Sequence, residues 1–282
     1  MNHQLHALYG LKFNPFTADL PTQALFMTPA IDNFIWRIEN SHIKEGGFAL
    51  MTGDPGTGKS CLLRLLAEKL GQKKGLSVGT FTHPQSSISD FYHELGDMFD
   101  IALKFNNRWH SFKSLREKWQ THIENNAIKP VLLIDEAQEM QTNVMNELRL
   151  LNSHRYDSTN LLTVIFSGNK SLVDRLRTNS SLLPLGSRIT KRLLMEHQTS
   201  EQLINCLNHL LEKAGNHTLM SEPLIQMICD HCLGNYRIMA SIANELLEEA
   251  CHQELPHLDE KLYFEVFNPS TKNKSNSSQR GK

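Results

Sequence analysis

Residues 53–60, GDPGTGKS, fit the phosphate-binding pattern GxxxxGK[ST]. Glycines let the backbone fold around an anion, so that several N–H groups and the start of the next helix face a phosphate. Lys59 is expected to reach the β and γ phosphates of a nucleotide, and the Ser60 hydroxyl to ligate Mg²⁺. The alternative is a glycine-rich turn without a ligand. We predict nucleotide contacts from Gly53, Asp54, Pro55, Gly56, Thr57, Gly58, Lys59, Ser60 and Cys61.

A pair of acids, Asp135 and Glu136, follows the apolar run Val131–Ile134. A carboxylate at the carboxyl end of a parallel strand faces the crevice in which open α/β sheets bind ligands. Asp135 is therefore predicted to hold Mg²⁺, and Glu136 to orient or deprotonate an attacking water. Such acids also occur in solvated turns or at the start of a helix, but the phosphate loop favours the metal and water roles.

Three later residues extend the candidate site. Asn169 follows an apolar run and is predicted to position the water; it also suits a helix cap, and the two roles are compatible. Arg188 precedes another run, and its guanidinium suits phosphoryl-transfer charge on a neighbouring subunit's nucleotide. A plain surface arginine is an equally good interpretation, and Arg177 or Arg192 are alternatives. Arg237 begins a helix and is predicted to fold back onto the phosphates.

The elements that would position these residues alternate between short apolar runs and longer amphipathic segments. This order predicts an α/β fold with a parallel sheet covered by helices on both faces. The predicted strands are Phe48–Thr52, Leu76–Thr82, Val131–Ile134, Leu161–Ser167 and Ile189–Met195, and the predicted helices between them are 60–71, 86–100, 109–125, 138–153 and 170–177.

After Glu196 the periodicity is helical only, over 200–214, 221–232 and 236–253. We therefore predict four parts: an irregular N-terminal arm at 1–27, an α/β core at 28–196, a small all-helical domain at 197–267 and a disordered basic tail at 268–282.

Composition narrows the class of protein. The 282 residues carry 29 Lys and Arg against 30 Asp and Glu, a formal net charge of −1. This balance argues against coating nucleic acid by bulk positive charge but permits a local basic patch. The five cysteines do not suggest a disulfide framework, and no run of about 18 apolar residues predicts a membrane span. We expect a cytoplasmic protein without a membrane partner.

The motif order resembles the AAA+ ATPases, a family with a P-loop parallel sheet sandwiched by helices and a small helical lid. The motifs are the P-loop, VLLIDEAQ (131–138), SGN (167–169), LGSRI (185–189) and GNYR (234–237). Within AAA+ the chain is most similar to the ExeA/GspA-like proteins, because YGLKFNPF (9–16) matches their N-terminal signature and DEAQ (135–138) their Walker B extension. The resemblance implies ATP hydrolysis with Mg²⁺, sensor 1 at Asn169, an arginine finger at Arg188 and sensor 2 at Arg237. It also implies a homo-oligomer, as a ring or helical filament.

Secretion-pathway members carry a membrane anchor and a peptidoglycan-binding region, and neither follows the predicted lid here. The size instead resembles the stand-alone TniB-, IstB- and phage Mu B-type ATPases of mobile elements. That resemblance implies assembly on double-stranded DNA, target-site selection and stimulation of a transposase, and hence a part in DNA recombination. The alternatives are a secretion-pathway ATPase, or a nucleotide-gated adaptor that recruits a transposase or targeting protein.

Candidate DNA contacts are the basic residues Lys104, Arg108, Lys113 and Arg116, which lie near Trp109 and Trp119. Such a segment is also typical of an ordinary solvated helix face. The basic tail is a second candidate, for contact with DNA or the transposase.

Overall fold

The computed structural model describes residues 2–103, 107–156 and 158–267. The chain divides into two compact units: Met27–Glu196, and a second unit made of Met1–Phe26 together with His197–Lys282. Among the helices of the described residues, none combines the length and apolar character needed to cross a membrane.

The unit 27–196 is an α/β unit. Its strands are β1 (Gly47–Gly53), β2 (Leu76–Phe81), β3 (Lys129–Ile134), β4 (Ser153–His154), β5 (Thr159–Asn160), β6 (Thr163–Gly168) and β7 (Ile189–Met195). Its helices are α2 (Pro29–Arg37), α3 (Ile43–Glu45), α4 (Lys59–Gly71), α5 (Ile88–Met98), α6 (Arg108–Asn126), α7 (Thr142–Asn152), α8 (Lys170–Thr178) and α9 (Leu183–Gly186), with a π turn at Ile38–His42 between α2 and α3.

The main sheet confirms the predicted parallel α/β fold. Its strand order is β2-β3-β6-β1-β7, and each neighbouring pair is parallel. The predicted run 161–167 becomes a strand only from Thr163, because the N–H groups of Leu161 and Leu162 bond the carbonyl and side-chain oxygens of Asn152. All seven residues of β1 are buried, as a strand covered on both faces requires.

The sheet topology places the candidate residues at one edge. The middle strand β6 pairs β3 on one side and β1 on the other, and all three run in the same direction. Their carboxyl ends therefore bring together Gly53 of the phosphate loop, Gly168, and the acids that follow Ile134.

The other unit is helical. It contains α1 (Asn2–Tyr9), a 3₁₀ turn (Thr22–Ala24), α10 (Ser200–Ala214), α11 (Glu222–His231), α12 (Tyr236–His252) and α13 (Glu260–Phe267). Each of α10, α11 and α12 begins at a side-chain cap, from Thr199, Ser221 and Asn235 respectively, which satisfies N–H groups that lack partners within the helix.

The first 26 residues differ from the predicted irregular arm. They include helix α1, and Leu5 and Tyr9 share one face of it and are buried in the helical core with Leu11 and Phe16. The amide of Lys12 also donates to the carbonyl of Ala214 at 2.9 Å. The aromatic residues of this segment therefore pack within the helical unit.

Candidate phosphate-binding site

The phosphate loop joins β1 to α4. Gly56 and Gly58 have φ values of 84° and 94°, in the left-handed region that favours glycine. Gly53 is required for a different reason, because a Cβ there would lie 2.4 Å from the carbonyl oxygen of Met195. The glycines of the motif thus shape a tight turn that ends at the first residue of a helix, Lys59.

Lys59 lies inside this loop, with only 6% of its surface exposed. Its Nζ donates to the carbonyl oxygens of Gly53 at 2.9 Å and Asp54 at 3.0 Å. Thr57, which is also buried, donates from Oγ1 to the Asp54 carbonyl at 2.8 Å. Ser60 is exposed in the first turn of α4. The positive charge of Lys59 is therefore held at the centre of the loop, where an anion would bind.

The predicted acids follow β3. Oδ1 of Asp135 accepts hydrogen bonds from Ser167 Oγ at 2.7 Å and from the Glu136 amide at 2.9 Å, and these two bonds fix the carboxylate. Glu136 is exposed, and its φ of 47° is unusual for a residue with a side chain. A hydroxyl at Ser60 and a carboxylate at Asp135 are the hard oxygen donors that Mg²⁺ prefers, usually beside substrate phosphates, so the residues fit that metal.

The residues that follow β6 begin helix α8 and contact the phosphate loop. Oδ1 of Asn169 caps α8 by accepting from the Ser171 amide at 2.9 Å and from its hydroxyl at 2.6 Å. Lys170 donates to Oδ2 of Asp54 in the phosphate loop at 2.9 Å, and this carboxylate raises the pKa of Lys170. Asn169 thus has the cap role that the sequence left open, and its role toward water stays a prediction.

Four residues near the site were not assigned roles from the sequence: Gln138, Ser167, Lys170 and Arg175. Arg175 of α8 donates to the carbonyl oxygens of Gln138 and Met140, the latter at 2.9 Å. Gln138 lies in the DEAQ motif and Ser167 in the SGN motif, so these motifs could have indicated both residues. The contacts themselves join residues more than thirty positions apart and need the fold to be known.

Arg188 lies just before β7, at the opposite end of that strand from the phosphate loop. Phe48 pairs Ile189 and Gly53 pairs Met195, so the strand separates Arg188 from its own loop by about 20 Å. Of the alternatives, Arg192 donates to the Gly186 carbonyl at 3.1 Å, and Arg177 is exposed in the last turn of α8.

Arg237 lies in the helical unit, as the second residue of α12, and its side chain is exposed. Its amide donates to Oδ1 of the cap residue Asn235 at 2.9 Å. Gly234 before it has a φ of 79°, and a Cβ there would lie 2.5 Å from the Gln198 carbonyl oxygen. The GNYR motif therefore builds a helix start, and the phosphate role of Arg237 stays a prediction.

Two of the candidate DNA contacts have internal partners. Arg108 donates from Nε and Nη2 to the buried carboxylate of Glu147, at 2.9 and 2.5 Å. Arg116 donates to the carbonyl oxygens at the end of α7, including that of Leu150 at 2.8 Å.

The other candidate DNA contacts differ in exposure. Lys113 is exposed and lies 3.7 Å from Glu117. Lys104 and the tail 268–282 lie outside the described residues. Of the two tryptophans, Trp109 is 70% exposed and Trp119 is buried.

Comparison with known proteins gives a family match at residues 42–176, to the model described as an AAA domain. General secretion pathway protein A of Aeromonas hydrophila is 27% identical over 243 residues, which cover 80% of this chain and 43% of that protein. The chain thus spans less than half the length of this curated relative.

Similar solved structures include the Cdc6p protein of Pyrobaculum aerophilum, at 17% identity and a TM-score of 0.69, with 86% of this chain and 67% of that chain covered. The ORC1 protein of Aeropyrum pernix in complex with DNA gives 14% identity and a TM-score of 0.66, with 88% and 67% covered. RuvB of Thermotoga maritima, a Holliday junction branch migration motor, gives 12% identity and a TM-score of 0.56, with 90% and 71% covered. The family model thus matches residues 42–176 of this chain, and these solved structures share its fold.

Proposed function

We propose that this protein binds ATP at the phosphate loop and hydrolyses it. The observation that carries the proposal is the buried Lys59 ammonium, held at the centre of a glycine-shaped loop at the same sheet edge as Asp135 and Glu136. A buried positive charge beside a helix N-terminus favours an anion. The neighbouring carboxylates supply what phosphoryl transfer to water requires.

Each residue has a chemical role in this proposal. Lys59 and the loop amides hold the β and γ phosphates, and Ser60 and Asp135 would hold Mg²⁺, which neutralises charge on the phosphates when bound. Glu136 accepts a proton from the attacking water while the water oxygen bonds to the γ phosphorus. The bond between the γ phosphorus and the β–γ bridging oxygen breaks at the same time, which releases ADP and phosphate. Asn169 orients that water.

Arg188 and Arg237 complete the proposed site. Because β7 separates Arg188 from its own loop by about 20 Å, Arg188 would serve the nucleotide of a neighbouring subunit. This geometry supports a homo-oligomer, either a ring or a helical filament. Arg237 would respond to the γ phosphate from the helical unit.

Substitution of Lys59 and Glu136 tests the proposal. We expect Lys59→Ala to abolish binding of a fluorescent ATP analogue, whereas Lys69→Ala, an exposed lysine of the same helix, binds normally. Glu136→Gln should bind ATP but lose at least about a hundredfold in turnover, with Glu139→Gln of the same turn as its control. Turnover at the wild-type rate in Lys59→Ala or Glu136→Gln would overturn the assigned roles.

We further propose that the oligomer assembles on double-stranded DNA and regulates transposition through a transposase or targeting protein, in the cytoplasm where ATP is supplied. The similar fold of the Aeropyrum pernix ORC1 protein in complex with DNA supports this. Arg108 and Lys113 are exposed candidate contacts, and the exposed Trp109 lies between them in the sequence. The identity to General secretion pathway protein A favours a second candidate, a secretion-pathway ATPase.

Duplex DNA separates the two candidate processes. In the transposition proposal, DNA changes both the ATP turnover rate and the oligomer size measured by light scattering. If DNA changes neither, that proposal fails. Neighbouring reading frames give an independent check: a transposase supports the first candidate, and secretion components support the second.

A further inference from the structure

The turn after Glu136 brings its carboxylate to a side chain that the proposed chemistry does not use. A 3₁₀ turn at Ala137–Glu139 follows the left-handed Glu136. This turn directs Gln138 back toward the acid, and Nε2 of Gln138 donates to Oε2 of Glu136. One end of the Gln138 amide is therefore bonded to the proposed catalytic base.

The other end of the same amide bonds the end of β6. Oε1 of Gln138 accepts from the main-chain N–H of Asn169 at 3.2 Å. An ionised carboxylate only accepts and a main-chain N–H only donates, so the chemistry of the two partners fixes the orientation of the amide. Glutamine supplies both a donor and an acceptor at this length, and aspartate or glutamate cannot replace it while ionised.

The residues around Gln138 favour this position of its side chain. Its main-chain carbonyl accepts from Arg175 of α8. At Gly168, a Cβ would lie 2.8 Å from Oε1 of Gln138, so the absence of a side chain there leaves room for the amide. Both the side chain and the backbone of Gln138 are therefore tied to the segment that runs from β6 into α8.

We infer that Gln138 is a positioning residue, which aligns the Glu136 carboxylate with Asn169. The inference rests on the proposed ATPase function. Because the amide links the base to the backbone of the residue proposed to orient the water, loss of the link leaves ATP binding intact and misaligns the two groups that act on that water. Gln138 therefore governs kcat and leaves KM for ATP nearly unchanged.

Steady-state ATP hydrolysis by the full chain tests this inference. Gln138→Ala should lower kcat about tenfold to a hundredfold, a part of what a general base contributes, and leave KM within about threefold. Gln141→Ala is the matched control, because Gln141 lies beside the same turn and donates instead to the Gln85 carbonyl. The control should keep the wild-type kcat.

Gln138→Glu adds a signature that a merely structural role would not give. The substituted side chain keeps the length of glutamine but, while ionised, lacks the N–H donor that Glu136 accepts. We therefore expect kcat in Gln138→Glu to be at least as low as in Gln138→Ala, with KM for ATP again within about threefold of the wild-type value.

The outcomes separate the two claims. The inference is wrong, and the proposed function stands, if the wild-type protein hydrolyses ATP and Gln138→Ala keeps the wild-type kcat. The same conclusion follows if Gln138→Ala raises KM for ATP by as large a factor as it lowers kcat. A wild-type kcat in Gln138→Glu also overturns it. If the wild-type protein turns over ATP no faster than Glu136→Gln, the proposed function fails and the inference fails with it.

Discussion

The two units differ in what they bury. Among the described residues, the buried polar or charged side chains of the α/β unit are His42, Thr52, Thr57, Lys59, Ser111, Glu147, Asn152, Thr163 and Ser167, whereas the helical unit buries Asn14. Buried polar groups are costly unless they are hydrogen-bonded. Several of those in the α/β unit hold the phosphate loop, the acids and the segment around Glu147. The helical unit depends mainly on apolar packing.

The largest effect is expected in the helical core. Leu246 of α12 has no exposed surface, so Leu246→Ala should lower the free energy of unfolding by about 3 kcal/mol, through lost burial and the cavity left behind. Urea denaturation followed by far-UV circular dichroism measures the loss. Glu245→Ala, an exposed neighbour, is the control and should change stability by less than about 0.5 kcal/mol.

Tryptophan fluorescence sharpens this comparison, because all three tryptophans (Trp36, Trp109 and Trp119) lie in the α/β unit. The Leu246→Ala loss should appear mainly in the circular dichroism signal. An equal shift of the fluorescence transition would mean that the two units unfold as one, and that their different cores do not confer separate stabilities.

In the α/β unit, Glu147→Ala should cost about 2 kcal/mol. The substitution leaves the buried Tyr92 hydroxyl, which bonds Glu147 at 2.5 Å, without its acceptor and removes the partner of Arg108. The cost is below that of a fully buried pair because Arg108 is 59% exposed. Tyr92→Phe should cost about 1 kcal/mol. Trp119 fluorescence in urea measures both, and no change in Glu147→Ala would contradict the structural role of this network.

His42 gives the next prediction, a dependence on pH. Burial, and secondarily the charge of Lys191, lowers the pKa of His42 from 6.5 to about 4. Between these values only the unfolded chain binds the proton, so stability falls as the pH is lowered from 6.5 toward 4. The loss between pH 7.5 and 5 should be about 2 kcal/mol.

His42→Leu should remove this component of the pH slope, and His93→Leu, at an exposed histidine, should keep it. Urea denaturation at each pH, followed by fluorescence, compares the slopes. A His42→Leu slope equal to that of the wild-type protein would place the acid sensitivity elsewhere.

The smallest effect is expected at the surface of α6. Lys113 and Glu117 are both exposed and 3.7 Å apart, so Lys113→Ala should change stability by less than about 0.5 kcal/mol. If Lys113 contacts DNA as proposed, the same variant weakens duplex binding and reduces its salt dependence by about one charge. Unchanged salt dependence would remove Lys113 from the proposed interface.

The sequence predicted the sheet and most helices well, because strands buried on both faces and amphipathic helices have distinct apolar periods. It did not predict α1 or α13, since short helices such as Glu260–Phe267 acquire their stability from a partner that periodicity does not identify. The phosphate loop and the acid pair are each a short local motif, so a sequence pattern can indicate them.

The contacts that link those motifs were not found. The sequence predicted Arg108 to be a DNA contact or part of a solvated helix face, because its partner Glu147 lies 39 residues away. Likewise, nothing local indicates that the Gln138 amide reaches Asn169. The pairing of β3 with β6 brings Gln138 and Asn169 together, and charge and spacing along the chain do not encode that pairing directly.

The helical unit draws its core from both ends of the chain: Leu5 and Leu11 pack in the same cluster as Leu207 and Leu247. During synthesis, the first 26 residues leave the ribosome long before their packing partners exist, while the α/β unit between them is complete by residue 196. The α/β unit can therefore fold first, and the apolar face of α1 is covered only after helices α10 to α13 emerge. Premature termination after residue 196 would leave that face uncovered and exposed to chaperones and proteases.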